Sequence, residues 1–181
     1  KKISVYRILF LFMFCLSNHL SAQEMSTSER KEVLTKIKEG RLQIQEGNHA
    51  KGFELLMNAQ KISLETNENE LFFKSSIELA NYYTIINSML KAADVYSEIK
   101  PSDRFKPEDN CRYYHRKAFY HNQLGQGDSA ILYSRLALTV ARNSHIEDVN
   151  GTIYNELGNI YEKERLWDSS LFYYNKAVLE F

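Results

Sequence analysis

The chain of 181 residues is 44% hydrophobic and 25% charged, which suits a globular domain and argues against a disordered or fibrous one. Twenty-three basic residues balance twenty-three acidic ones, so no net field is available to hold a polyanion, and charge gives no support to nucleic-acid binding through this region.

The first 23 residues, KKISVYRILFLFMFCLSNHLSAQ, place Lys1, Lys2 and Arg7 before an apolar run from Ile8 to Leu16 and end on the small pair Ser21-Ala22. That order predicts a secretory signal peptide over residues 1–22. The nine-residue run is short of the about 20 residues a spanning helix needs, which leaves an uncleaved anchor or a buried helix as the alternative. Met13 and Phe14 precede Cys15 where a lipoprotein signal carries small residues, so lipidation is not expected. No Met precedes Lys1, and the expectation is that the sequence is incomplete at its start. Cleavage after Ala22 leaves Cys111 as the single cysteine and no internal disulfide. Residues 23–32 read as a linker or the start of a first helix.

From Val33 onward one spacing recurs. Gly40, Gly52 and Ala59 are followed in the same register by Ala80, Ala92 and Ile99, by Ala118, Ala130 and Ala137, and by Gly158, Ser170 and Ala177. Each set keeps intervals of 12 and 7, and successive sets start 40, 38 and 40 residues apart. Residues seven apart lie on nearly one helical face, and antiparallel helices approach closely only where the facing side chains are small. The pattern predicts four helical hairpins, about 33–66, 73–106, 111–144 and 151–181, with the last open to truncation. Tyrosines such as Tyr83, Tyr96, Tyr154, Tyr161 and Tyr174 fill space around the contacts. Gly47-Asn48 and the stretch Gly125 to Gly127 supply turns, Asp128 and Asp168 stand where they could cap second helices, and Pro101 and Pro107 break helix between the second and third copies. Asn150-Gly151-Thr152 matches a glycosylation acceptor and is read as a loop marker. No stretch argues for a strand, and a plain helical bundle with coincidental small residues is the alternative fold.

YNELGNIYEKERLWDSSLFYYNKA, with Tyr154, Leu157-Gly158, Tyr161, Ser170, Tyr174 and Ala177, resembles the tetratricopeptide repeats; Leu79-Ala80, Tyr83, Ala92 and Tyr96 give a second match. The third copy departs at Lys117, His121 and Ser134, and the first at Glu39 and Gln43. The unit exceeds the family's usual 34 residues, which implies longer helices. The resemblance implies an all-α fold, an α-solenoid of about four antiparallel helix hairpins, whose first helices line a concave groove for a peptide.

Projected on that groove, the candidate binding residues are Arg41; Lys74, Ile77 and Asn81; Arg112, His115, Phe119 and Asn122; and Asn155, Asn159 and Lys163. This polar, mildly basic set suits an extended peptide or an acidic chain terminus. By resemblance, Lys74, Asn81, Arg112 and Lys163 could clamp a carboxylate, although an ordinary solvated face would look the same. A thiol–imidazole pair is possible at Cys111 and His115, four residues apart, but no orienting acid or oxyanion site accompanies it. His115 and His121 lack metal-ligand spacing, and Ser144, His145 and Asp148 lie together only along a loop-like stretch. The pairs Tyr82-Tyr83, Tyr113-Tyr114 and Tyr173-Tyr174 read as one core and one surface ring each. The expectation is therefore a non-enzymatic scaffold without metal, cofactor or evident small-molecule substrate, exported to a bacterial periplasm or cell surface and binding a protein or peptide. The alternative is the sensory front region of a membrane-bound regulator whose kinase or DNA-binding output lies beyond Phe181. The apolar side of LFYYNKAVLEF could also drive self-association.

Overall fold

The computed structural model describes residues 25–146 and 148–180; the proposed signal peptide lies outside them. Eight helices follow one another: α1 (Thr27–Gln45), α2 (His49–Glu65), α3 (Asn69–Ile85), α4 (Met89–Glu98), α5 (Pro107–Gln123), α6 (Gly127–Asn143), α7 (Asn150–Lys163) and α8 (Trp167–Glu180), with no strand among the described residues. The fold is all-α, with each helix packed on its neighbours in sequence. None of these helices is long and apolar enough to cross a membrane.

The first helix begins earlier than the repeat spacing suggests. Ser26 accepts a hydrogen bond from the Glu29 amide at 3.2 Å while the Glu29 carboxylate accepts one from the Ser26 amide at 2.8 Å. This reciprocal capping box satisfies two amides that would otherwise be unpaired and fixes the start of α1 at Thr27.

Six of the seven connections use one device. Gly47, Asn67, Asn87, Gly125, His145 and Arg165 each adopt a positive φ directly after a helix. In every case that residue's amide donates three residues back and the next amide donates five residues back, as in Gly47 to Ile44 and Asn48 to Gln43. These are Schellman turns, which close the preceding helix by satisfying its last carbonyls. In five of them the next helix starts within two residues, and none of the helices α2, α3, α4 and α6 gains a side-chain cap. Asp128 and Asp168 consequently stand inside the first turns of α6 and α8, where a carboxylate favours the helix dipole, rather than at the caps expected for them. Asn150-Gly151-Thr152 opens α7 and is not a loop.

The seventh connection differs. α4 is only 10 residues long, and its third landmark, Ile99, is already extended at φ −117° and ψ 142°. The chain then passes through a turn at Ser102–Phe105, closed by the Phe105 amide donating to the Ser102 carbonyl at 3.0 Å, and reaches Pro107, the first residue of α5. Phe105 anchors this connector by stacking on Phe73 at 4.6 Å, and Asn110 exchanges two hydrogen bonds with the Ser102 backbone.

All twelve small-site positions are buried. Around them lie three core clusters: the first and second each join one hairpin to the first helix of the next, and the third joins the third hairpin to α7 and Ala177 of α8. Leu56 and Leu79 belong to the first, Phe73 and Tyr113 to the second, Leu157 and Ile160 to the third. Each fully buried side chain of this size contributes about 1.5–3 kcal/mol relative to exposure. At two crossings the demand for small residues is steric. A Cβ on Gly52 would lie 2.7 Å from the Gly40 carbonyl oxygen, and one on Gly158 would lie 2.5 Å from the Tyr174 ring. The tyrosine pairs divide less simply than expected. Tyr113 is buried and Tyr114 is partly so, whereas both rings of Tyr82-Tyr83 and of Tyr173-Tyr174 are half-buried.

Candidate functional site

The first helices α1, α3, α5 and α7 touch one another in that order, and the second helices α2, α4, α6 and α8 make no such contacts among the described residues. Residues on the first-helix side therefore have the best chance of meeting across repeats. The eleven candidate binding residues all lie on these helices, but in four different settings.

Arg41, Lys74 and Arg112 belong to an ion-pair network that spans three helices. The Lys74 ammonium sits 2.9 Å from Glu70 and 3.2 Å from Asp109, and Arg112 lies 3.8 Å from Asp109. Arg41 and the Arg112 Nε each approach the same Glu78 oxygen at 3.7 Å. Arg30 extends the network by pairing with Glu68 and Glu70 at the start of α3. Glu78 is 2% exposed, and its Oε1 accepts no hydrogen bond within normal length. Burial pushes the Asp109 carboxyl above its ordinary range against the pull of Lys74 and Arg112. Burial acts the same way on Glu70, but Lys74, Arg30 and Lys106 outweigh it and hold that carboxyl low. The basic residues that looked available to an acidic ligand thus already face internal carboxylates. Sequence reading missed Glu70, Glu78 and Asp109; the Glu70–Lys74 and Asp109–Arg112 spacings, four and three on one helix, were the signal.

Ile77 does not line any open face. It is 1% exposed and packs with Phe73, Ala92 and Tyr96, because it falls on the side of α3 turned toward α4. Asn81 is 5% exposed with an unpartnered Oδ1.

Two cavities collect most of the others. One, of about 360 Å³, lies between α5, α7 and the end of α1 and is lined by Arg112, His115, Arg116, Cys111, Thr152 and Gln45 among others. Cys111 is buried, its Sγ lies 3.5 Å from the Ala137 carbonyl, and burial pushes the thiol up to about 11. Burial, followed by the charges of Arg116 and Arg112, pushes His115 down to about 3. At neutral pH the pair is therefore a thiol beside a neutral imidazole, and the thiolate that nucleophilic chemistry needs is disfavoured.

The second cavity, of about 380 Å³, lies between α5 and α7 and is lined by Phe119, Asn122, Gln123, Glu156, Asn159, Glu162 and Lys163. Asn122 donates to Glu156 at 2.8 Å, and Lys163 donates to the Asn122 carbonyl at 3.4 Å. The Tyr174 hydroxyl donates to the Glu162 carboxylate at 2.6 Å and lies 2.7 Å from the Asn159 side-chain amide. Asn155 is exposed on α7. This cavity brings four of the candidates together and offers both amide donors and carboxylate acceptors beside an aromatic ring. Among the described residues no three His, Cys, Asp or Glu side chains converge as they would on a metal ion.

His115 carries a measurable consequence. An unfolded histidine titrates at about 6.5. Its folded value is lower, so between these limits the unfolded chain binds more protons and stability falls as pH drops. Burial lowers His121 as well, with the same sign. Urea unfolding midpoints should fall between pH 7 and pH 5, and His115→Gln should flatten that fall; an equal fall in the variant would contradict the assignment to His115.

Comparison of the chain with protein-family models, with characterised proteins and with solved structures finds no match.

Proposed function

We propose that the chain is an exported, non-enzymatic interaction scaffold, a solenoid of four tetratricopeptide-like hairpins that holds an extended peptide segment of a partner protein on its first-helix side. The supporting observation is the α5–α7 cavity, where Phe119, Asn122, Asn159 and Lys163 converge. Amide side chains that both donate and accept suit the alternating backbone groups of an extended chain, and a half-buried ring suits one of its side chains. An extended peptide fits better than an acidic terminus, because Arg41, Lys74 and Arg112 would have to leave Glu78, Glu70 and Asp109 to meet a carboxylate.

Site-specific photo-crosslinking tests this reading. A photoreactive residue at Gln123, beside the cavity, should give a discrete protein adduct in the living cell, and one at Leu132, exposed on α6, should not. Adducts of the same kind from both positions, or none from Gln123, would count against the groove.

A further inference from the structure

The cavity of about 360 Å³ between α5, α7 and the end of α1 holds charges that the chain itself does not neutralise. Arg116 lines it, and the Arg116 Nε is buried with no acceptor. Native structures seldom leave a buried donor unmatched, so this one calls for an acceptor that comes from outside the described chain. Glu108 and Asp148 line the same cavity, and both are exposed, which sets them on its open side. Among the described residues none of the three enters an ion pair. Opposite charges therefore share one cavity and stand too far apart to meet.

The charges are also ordered along α5. At Cys111, burial raises the thiol, Arg112 opposes it, and Asp148 and Glu108 add to it. At His115, burial lowers the imidazole, and the charges that add to it are those of Arg116 and Arg112. Arg112 reaches both groups, whereas the carboxylates act at Cys111 and Arg116 acts at His115, four residues and about 6 Å further along the helix. The cavity thus has a negative end and a positive end. Arg112 is already shared between Glu78 and Asp109, which leaves Arg116 as the uncommitted cation of the positive end.

This arrangement selects by charge. An anion would face Glu108 and Asp148, and a cation would face Arg112 and Arg116, so either alone leaves one end uncompensated. Two guanidiniums and two carboxylates balance, and the ligand that fits them is neutral overall but dipolar. Ile146 and Val149 supply an apolar wall beside the charges. The volume lies at the small end of the range for small-molecule sites, about 300–1,000 Å³.

We propose that this cavity binds a free α-amino acid with an apolar side chain: the ligand's carboxylate accepts from Arg116, its ammonium donates to Glu108 and Asp148, and its side chain rests on Ile146 and Val149. No residue lines both this cavity and the one that contains Phe119 and Asn159, so the inference does not depend on the peptide groove.

Isothermal titration calorimetry of the natural gene product with each of the twenty standard free amino acids tests it. At least one with an apolar side chain should bind saturably at millimolar concentration or below. Its amide and its N-acetyl derivative, each lacking one of the two charges, should bind about 10-fold more weakly or worse. Arg116→Gln should weaken binding by a similar factor. The Glu108→Gln/Asp148→Asn double variant, altered only at exposed positions, should lose affinity while circular dichroism and the unfolding midpoint stay unchanged. An N-acetyl derivative that binds as tightly as the free amino acid would point to a peptide C-terminus and overturn the proposal. Equal binding by the amide, no binding by any of the twenty, or an affinity indifferent to Arg116→Gln would overturn it as well.

Discussion

Phe73→Ala is expected to cost about 4 kcal/mol of folding free energy, the largest single loss in the chain. Phe73 is 2% exposed and lies at the centre of the second core cluster. Its ring stacks on Phe105 at 4.6 Å and on Tyr113 at 5.6 Å. Truncation removes the buried ring and leaves a cavity that rigid neighbours on α3, α4 and α5 cannot fill. It also frees the connector between α4 and α5, which depends on the Phe105 stack and the Asn110–Ser102 hydrogen bonds. Urea unfolding should show a lower midpoint at constant slope, and trypsin should cut faster after Arg104. A loss below about 1 kcal/mol would mean that the second cluster is not a packed core.

Gly52→Ala is expected to destabilise by about 2 kcal/mol, and here even the sign is informative. Helix propensity alone predicts a gain, because glycine inside a helix costs roughly 0.5–1 kcal/mol relative to alanine. Crowding predicts the reverse, since the added carbon would sit 2.7 Å from the Gly40 carbonyl and 2.6 Å from Ile44 Cγ1. Crowding wins because a backbone oxygen cannot swing aside, and overpacking of this kind costs about 1–3 kcal/mol. Gly40→Ala should be milder, as its nearest neighbour is the side chain of Leu56 at 2.9 Å. A stabilised Gly52→Ala would show that α1 and α2 do not cross at this point.

The small-residue register was legible in the sequence because close helix crossings leave few residue types to choose from, and Gly40, Gly52 and Gly158 carry that constraint openly. Turn positions were legible only in part. Gly47 and Gly125 announce a left-handed residue, and Asn67 and Asn87 tolerate one, but His145 and Arg165 adopt the same φ without any local signal. There the Schellman hydrogen bonds and the next helix dictate the conformation. The Ser26–Glu29 capping box is legible in the sequence and starts α1 ahead of Val33, where the repeat register begins. The ion-pair network was the least legible feature. Glu78 meets Arg41 and Arg112 from helices more than thirty residues away in either direction, and one helix's pattern does not reveal which neighbour's charge will face it.

The central claim, that the α5–α7 cavity holds a partner's extended segment, is tested most directly by the affinity of the captured partner for the Phe119→Ala/Asn159→Ala double variant. Loss of a half-buried ring and of the amide beside Tyr174 should weaken binding by about 30-fold or more while the fold persists. Unchanged affinity in a folded double variant would contradict the claim.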